Sequence, residues 1–296
     1  MQIEDVIIIG AGPAGLSAAV QLQRYGLTPR LLEQAQVGGL LRNANLVENY
    51  PGFPGGITGW ELVKLFEEQA RCTPVQVTYD RVMELNYSAG VFRVATRNSV
   101  YESRVAVIAT GTSPRVFTEF VVPSSLQDRV LYEVYPLLDA AGMRIAIVGA
   151  GDAAFDYALN LARKNTVLVL NRNDQVKCLP LLRERASAAP NISYHPGIAV
   201  TGLSGSPEDG ITLECTSSAA GSQLKVDYLI GALGREPNVD FISPQLLEIS
   251  SELEQQGSLY WIGDVKNGIY RQTAIATGDG IRAAMQIYRY FKETAP

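Results

Sequence analysis

The chain has 296 residues, of which 47% are hydrophobic and 19% are charged, so it is long enough for about two domains and too apolar to be disordered. No apolar run approaches about 18 residues, and no transmembrane helix is predicted. The net charge of −5 gives no general attraction to nucleic acid or anionic membrane, and nucleic acid is not an expected partner. A core strand is predicted within a few residues of Met1 without a basic leader, which indicates a cytoplasmic location.

A βαβ unit is predicted in EDVIIIGAGPAGLSAAVQLQRYGLTPRLLEQ. An apolar strand leads into a GxGxxG turn and a helix, and the second strand ends at Glu33, where an acidic side chain accepts hydrogen bonds from an adenosine ribose. The glycines provide a tight turn, close approach to a pyrophosphate and close packing of helix on strand. The residues predicted to hold this dinucleotide are Gly10, Gly12, Pro13, Ala14, Gly15, Glu33 and Gln34.

The same pattern returns in MRIAIVGAGDAAFDYALNLARKNTVLVLNRND, in the form GxGxxA. This predicts a second dinucleotide fold, although its second strand ends at Asn171 and the usual carboxylate is missing. Its predicted binding residues in the glycine turn and helix start are Gly149, Gly151, Asp152, Ala153 and Ala154.

Three further features flank these folds. An Ala-Thr-Gly turn containing Thr110 and Gly111 follows another predicted strand and lets backbone approach a cofactor. Periodicity weakens over 116–139, where we place a crossing between domains. Near the C terminus, an apolar strand leads to Gly263 and Asp264, and a long helix is predicted to begin near Arg271.

Two tandem dinucleotide folds, the ATG turn and the late GD resemble the FAD and NAD(P)H disulfide reductase superfamily. The runs GGLL at 38–41, VENYPGFPGGITGWEL at 47–62 and RQTAIATGDGIRAA at 271–284 resemble the low-molecular-weight thioredoxin reductases. This resemblance implies an α/β fold with two Rossmann-like, three-layer domains. It implies a discontinuous FAD-binding domain at 1–115 and 238–296, a second dinucleotide domain at 116–237, and a homodimer.

The resemblance also implies an FAD site. Asp264 would hydrogen-bond the ribitol chain, and backbone at Gln272 and Thr273 would meet the pyrimidine edge of the flavin. A helix beginning near Arg271 would direct its positive end toward the charge that reduced flavin carries. The other residues expected at this site are Gly39, Leu40, Leu41, Asn49, Val82, Thr110, Gly111 and Gly263.

The redox-active cysteines of typical members are missing. The second of them lies about fourteen residues before GxGxxA, and that position here is Tyr135, with Tyr132 three residues earlier. A phenol with an ordinary pKa near 10 cannot replace a thiolate nucleophile. Either the two tyrosines stack against a flavin or ligand, gate the cavity or donate a hydrogen bond, or they are loop residues that pack.

The clamp for the NADPH 2′-phosphate is altered as well. Members that use NADPH carry HRRxxxR after the second strand, and the matching run here is NRNDQVK. Arg172 is retained, and Asn173 replaces one arginine. Lys177 replaces another, and its ammonium group is a point charge that cannot form the bidentate bonds of an arginine. Electrons are therefore expected to come from, or go to, something other than NADPH and thioredoxin.

Four hypotheses follow. FAD exchanges electrons with NAD(P)H on the second fold, as in the thioredoxin-reductase-like ferredoxin NADP reductases, or with a second FAD, as in the diflavin disulfide oxidoreductases, which we favour slightly. The chain is instead a flavin-binding redox sensor without turnover, or a diverged thioredoxin reductase that uses another cysteine pair. Among Cys72, Cys178 and Cys215, the first candidate for such a pair is Cys178. The only histidine, His195, is expected to be structural, and no metal site is expected.

Overall fold

The computed structural model describes residues 3–216 and 221–294. The described chain divides into two compact units. The first unit contains the chain up to Arg42, Val47–Ser113, and the chain from Glu236 onward, and the second contains Asn43–Leu46 and Pro114–Arg235. No helix in the described ranges is both long enough and apolar enough to cross a membrane.

The strands are β1 (Ile3–Ile9), β2 (Arg30–Glu33), β3 (Val77–Tyr79), β4 (Val82–Ser88), β5 (Val91–Thr96), β6 (Val100–Ile108), β7 (Thr112–Pro114), β8 (Val130–Leu131), β9 (Arg144–Val148), β10 (Thr166–Asn171), β11 (Ile192–Pro196), β12 (Ala199–Ser206), β13 (Gly210–Thr216), β14 (Gly221–Val226), β15 (Tyr228–Gly231), β16 (Arg235–Pro237) and β17 (Leu259–Trp261). The α-helices are α1 (Pro13–Arg24), α2 (Gly59–Cys72), α3 (Asp152–Leu161), α4 (Pro180–Ala188), α5 (Pro244–Gln256) and α6 (Thr273–Thr294).

The first unit is built on a seven-stranded sheet in the order β3-β2-β1-β6-β5-β4, and β17 pairs in parallel with the end of β6. The run Val6–Ile9 in β1 is entirely apolar, as expected of a strand that is covered on both faces. Val6 and Ile8 belong to a core shared with α1 and α6, whereas Ile7 and Ile9 belong to one shared with β4, β5 and α5. The parallel strands end at one edge of the sheet, where the glycine loop follows β1.

The second unit repeats this plan with a five-stranded parallel sheet in the order β11-β10-β9-β15-β8. On β9, Ile145 and Ile147 belong to the core formed with α3, which includes Phe155. Ala146 between them belongs to the core on the other face, together with Leu213 of the antiparallel sheet β12-β13-β14. Helices, parallel sheet and antiparallel sheet thus form three layers, as predicted for an α/β fold of this type.

The unit boundaries can be compared with the boundaries predicted from the sequence. The chain passes between the units at Ser113–Pro114 and at Arg235–Glu236, each two residues before the predicted domain boundary, and again on either side of residues 43–46. The stretch 116–139, where we placed a crossing, lies wholly in the second unit because Phe117 and Leu126 are buried in its core. Residues 43–46, expected in the first domain, belong to the second unit. Helix α6 begins at Thr273, two residues after Arg271, near which we predicted its start.

Candidate functional site

The first glycine loop is closely packed because three backbone segments meet there. Gly10 has φ of +104°, and a Cβ at that position would lie 2.5 Å from the Ala109 carbonyl oxygen. A Cβ on Gly15 would overlap the carbonyl oxygen of Gly10. Gly12, by contrast, has no protein atom within 4 Å of a Cβ, and it immediately precedes α1. The backbone of Gly12 is therefore open to a ligand at the positive end of a helix.

Glu33 is held in position at the end of β2 by two backbone amides. Its Oε2 accepts a hydrogen bond from the Ala11 amide at 2.9 Å, and its Oε1 accepts one from the Ala35 amide at 3.0 Å. Each carboxylate oxygen retains capacity to accept a further hydrogen bond. The side chain therefore joins the glycine loop to an open cleft and still offers acceptors to a ribose.

An open cleft lies at the ends of the parallel strands of the first unit. Gly10, Glu33, Gln34, Val82 and Thr110, all selected from the sequence, line it. The structure adds four polar lining residues that belong to no sequence motif, namely Asp80, Arg81, Asn238 and Asp240. The cleft is thus a mixed polar and apolar groove of the kind that accepts a nucleoside.

The C-terminal segment reaches the same glycine loop through small residues. Gly263 leaves room for the Ala14 side chain, since a Cβ there would lie 2.8 Å from the Cβ of Ala14. Asp264 is next to it in a 3₁₀ turn at Gly263–Val265. The Asp279 carboxylate holds this turn by accepting a hydrogen bond from the Gly263 amide at 3.2 Å.

Asn49 and Gln272 are brought together although 223 residues separate them. The Asn49 Nδ2 donates a hydrogen bond to the Gln272 Oε1 at 2.8 Å, directly before α6 begins at Thr273. The adjacent Arg271 has a buried Nε that makes no hydrogen bond in the described structure. A buried donor without a partner is costly, so this position fits an acceptor supplied by a cofactor.

The segment that contains Gly39, Leu40 and Leu41 also packs against the first loop. The Gly38 amide donates a hydrogen bond to the Ala11 carbonyl oxygen at 2.8 Å. A Cβ on Gly39 would lie 3.3 Å from the Gly12 Cα, and Leu41 is buried. This segment thus lies beside the open backbone of Gly12, and the glycine loop, the Glu33 carboxylate and the lined cleft are chemically suited to a dinucleotide such as FAD.

The second glycine loop has a similar geometry. Gly149 has φ of +142°, and a Cβ there would lie 2.5 Å from the Ala232 carbonyl oxygen. Gly151 has no protein atom near a Cβ and precedes α3, in which Ala154 is fully buried and Asp152 and Ala153 are exposed. The Asp152 Oδ1 accepts a hydrogen bond from the Leu179 amide at 2.7 Å, which ties the loop after β10 to the helix start.

The loop after β10 carries the altered clamp. Asn171 ends the strand, as predicted, and its side chain bonds within the protein to Gln175, Tyr194 and Asn173. Arg172 is exposed and pairs with Glu119 at 3.8 Å. The Lys177 amide donates a hydrogen bond to the Ala150 carbonyl oxygen at 2.9 Å, so its backbone borders the glycine loop.

Tyr132 and Tyr135 have different environments. The Tyr132 ring packs over Gly231, where a Cβ would lie 2.8 Å from the ring. Its hydroxyl accepts a hydrogen bond from the Phe117 amide at 3.2 Å. The Tyr135 amide donates a hydrogen bond to the Asn43 Oδ1 at 3.0 Å. These contacts favour the packing interpretation for Tyr132.

The cysteines lie in three unrelated places. Cys72 is exposed at the end of α2, Cys215 is buried in β13, and Cys178 is half-buried. All three are free thiols. Burial, reinforced by the nearby Asp152 carboxylate, raises the pKa of the Cys178 thiol. The surroundings of Cys178 therefore oppose the thiolate that disulfide chemistry requires.

Asp156, which the sequence analysis did not select, is a half-buried carboxyl group on α3. Burial raises its pKa from 3.8 to about 6. Its Oδ2 accepts a hydrogen bond from the Asn45 amide at 2.9 Å, and Arg163 donates to the Asn45 side chain at 2.6 Å. Asp156 thereby holds residues 43–46 in the second unit.

The architecture and the two loops define a protein with two dinucleotide-binding units. Residues 4–280 match the family described as pyridine nucleotide-disulphide oxidoreductase, and the chain belongs to this family.

The thioredoxin reductase of Streptomyces coelicolor is 30% identical over 301 residues, covering 96% of this chain and 92% of that protein. The NADPH-dependent thioredoxin reductase 3 of Arabidopsis thaliana is 30% identical over 315 residues, covering 97% and 58%, respectively. The structure of thioredoxin reductase from T. acidophilum superposes with a TM-score of 0.82 at 25% identity, covering 98% of this chain and 99% of that one. The chain is thus a thioredoxin reductase-like oxidoreductase.

Gly12→Ala is expected to fold with the stability of the ligand-free wild type but to bind FAD at least about tenfold more weakly. The added methyl group meets no protein atom and occupies space left for a pyrophosphate. Gly15→Ala is the matched comparison and should lower the free energy of unfolding by about 1–3 kcal/mol, because its methyl group overlaps Gly10. Thermal unfolding and FAD titration of the two apoproteins measure both effects. Equal FAD affinity in Gly12→Ala and wild type would contradict this assignment.

Cys178 is expected to react with iodoacetamide more slowly at pH 7 than the exposed Cys72, and to react faster as pH rises. The raised pKa leaves little thiolate at neutral pH. Peptide mass spectrometry after timed labelling at pH 7 and pH 9 measures both sites in one sample. Faster labelling of Cys178 than of Cys72 at pH 7 would show an activated thiol.

Asp156→Asn is expected to stabilise the protein at pH 7.5 and to have little effect at pH 4. The folded state binds the proton with a pKa of about 6 and the unfolded state with the ordinary value of 3.8, so charging Asp156 lowers stability as pH rises through this window. The difference corresponds to at most about 3 kcal/mol. Urea unfolding at the two pH values measures it, with exposed Asp139→Asn as the control. An equal effect of Asp156→Asn at both pH values would refute the assignment.

Proposed function

We propose that this chain is an FAD-dependent oxidoreductase in which FAD in the first unit exchanges electrons with a second dinucleotide in the second unit. No cysteine pair of the protein would take part. The observation that carries the proposal is the pair of glycine loops, each with an open Gly12 or Gly151 before a helix, in a chain without a CxxC sequence.

The first unit offers each part of FAD a chemically suitable partner. The amides around Gly12 at the start of α1 would bind the pyrophosphate, and the Glu33 carboxylate would bind the adenosine ribose. Asp264 would bind the ribitol hydroxyls. The buried Arg271 Nε and the start of α6 would stabilise negative charge on the pyrimidine side. Bound FAD would supply reversible two-electron chemistry, and the protein would supply binding, orientation and electrostatics.

NAD(P)H is the second dinucleotide that the relatives favour. The Arabidopsis relative is named for its dependence on NADPH, and the second loop keeps the backbone geometry that holds a pyrophosphate. Tyr132, next to Gly231 at the ends of the parallel strands, would help to shape this site rather than carry electrons.

A second FAD is the alternative, and one specific feature favours it. The clamp for a 2′-phosphate is reduced to Arg172 and Lys177, which a cofactor without that phosphate does not need. The homodimer, the cytoplasmic location and the identity of the redox partner remain predictions from the sequence. The acceptor would take electrons directly from the flavin, and disulfides are one class of acceptor to test.

The ratio of released FAD to polypeptide separates the two versions. We expect one FAD per chain if NAD(P)H binds the second loop and two if FAD does. Gly151→Ala should keep the first FAD but lose the second dinucleotide, because its methyl group meets no protein atom and occupies the ligand space. Absorbance of the denatured supernatant gives the ratio, and anaerobic mixing with NADH or NADPH gives the rate of flavin reduction.

In Gly151→Ala, either the ratio should fall from two to one or the rate of flavin reduction should fall at least about tenfold. Gly12→Ala is the matched control because it should weaken binding of the first FAD instead. The proposal would be refuted if the wild type carried one FAD per chain and Gly151→Ala left the rate of flavin reduction by NADH and NADPH unchanged.

A further inference from the structure

The end of β10 is the position at which a dinucleotide fold meets the adenosine ribose of its ligand. In dinucleotide folds, the residue at this strand end meets the ribose, and a nearby arginine accommodates a 2′-phosphate when there is one. Asn171 and Arg172 occupy these positions here. Their contacts within the second unit are therefore informative about the ligand.

Asn171 is not available as a phosphate donor. Both Nδ2 hydrogens are used, in bonds to the Gln175 carbonyl oxygen at 3.0 Å and to the Tyr194 hydroxyl at 2.9 Å. Its Oδ1 accepts a hydrogen bond from the Asn173 amide at 3.2 Å, and the side chain is buried. Asn171 thus fixes the shape of the loop and has no donor left for a ligand.

Arg172 has an acidic neighbour on a different segment of the chain. The Glu119 carboxylate lies 3.8 Å from the guanidinium group, and the two side chains are 51% and 72% exposed, respectively. Hydrogen bonds from the backbone amides of Glu119 and Thr118, together with the positive charge of Arg172, lower the pKa of Glu119. Glu119 is therefore a charged group at neutral pH, next to the one arginine that this loop retains from the family clamp.

We propose that the second site selects a dinucleotide without a 2′-phosphate, with Glu119 as a specificity-determining residue that opposes the phosphate at Arg172. This inference rests on the proposed function, because it concerns the ligand of the same glycine loop. A 2′-phosphate carries up to two negative charges, and it would have to approach Arg172 beside a carboxylate. NAD(H) and FAD meet no such opposition, since their adenosine ribose has hydroxyl groups only.

The magnitudes indicate how much of the selection Glu119 provides. A hydrogen bond to a charged group changes affinity by about ten- to a hundredfold, so the presence of Asn173 in place of one clamp arginine already weakens phosphate binding substantially. An exposed ion pair such as Arg172–Glu119 changes affinity by at most about fivefold. Glu119 should therefore account for several-fold of the discrimination, and the missing arginine for the larger part.

The test is isothermal titration of the FAD-containing protein with NAD⁺ and with NADP⁺, which bind without reducing the flavin. We expect NAD⁺ to bind at least about tenfold more tightly than NADP⁺. Glu119→Gln should improve NADP⁺ affinity about three- to fivefold and change NAD⁺ affinity less than about twofold. Because this readout is a ratio for two ligands, a general effect of Glu119 on folding would not produce it. High salt should reduce the effect of Glu119→Gln.

Glu208→Gln, between β12 and β13, makes the same change in net charge and serves as the matched control. If the wild type bound NADP⁺ as tightly as it binds NAD⁺, this inference would be overturned, but the proposed function would not. An unchanged NADP⁺ affinity in Glu119→Gln would remove Glu119 from the account. Two FAD molecules per chain would support the inference, because FAD has no 2′-phosphate. One FAD per chain with no binding of either nucleotide would refute the proposed function itself, and the inference with it.

Discussion

In both units, the fold depends on a glycine loop before a helix that packs directly against the backbone at the end of a neighbouring strand. At Gly10 and Gly149, a side chain would collide with the carbonyl oxygen of Ala109 or Ala232, which follows the neighbouring strand. This approach turns the backbone sharply enough for the next helix to begin at the edge of the sheet. Because Gly12 and Gly151 then face open space, the positive end of each helix is accessible to a ligand. The binding capacity follows from the same backbone geometry that forms the fold.

The two units differ in what surrounds that shared geometry. In the first unit, Glu33 is positioned by two backbone amides, Gly263 packs against Ala14 beside the glycine loop, and Asn49 bonds to the distant Gln272. In the second unit, the corresponding strand end is Asn171, whose polar groups are satisfied within its own loop. The two units therefore differ at the strand end that follows the glycine loop: the Glu33 carboxylate keeps free acceptor capacity, whereas the polar groups of Asn171 are used within the protein.

The sequence was sufficient for those parts of the fold that local rules govern. The glycine spacings and apolar strands predicted both βαβ units and placed the strand ends at Glu33 and Asn171, because turn geometry and strand patterning act over short distances. The family resemblance, rather than any local pattern, led us to expect Asn49 and Gln272 at the same site. These positions are 223 residues apart, and no periodicity in a sequence relates residues at that separation.

The sequence did not predict features that arise from long-range packing. Residues 43–46 belong to the second unit because Asp156 and Arg163 bind Asn45, and neither side chain lies in a motif. Glu119 lies in a stretch of weak periodicity, so its pairing with Arg172 is visible only in three dimensions. The sequence predicted that Tyr132 and Tyr135 stand where typical members carry the dithiol, and this stays a prediction, whereas the packing of Tyr132 over Gly231 required the structure.

In the proposed function, electrons move between the flavin and a dinucleotide without the protein's sulfur atoms. The decisive experiment is an anaerobic reductive titration of the wild type and of a variant with Cys72→Ser, Cys178→Ser and Cys215→Ala. Both proteins should take up two electrons per bound flavin, with identical spectra at each step. Two additional electrons per chain in the wild type, absent from the cysteine-free variant, would show a redox-active disulfide and refute the proposed electron path.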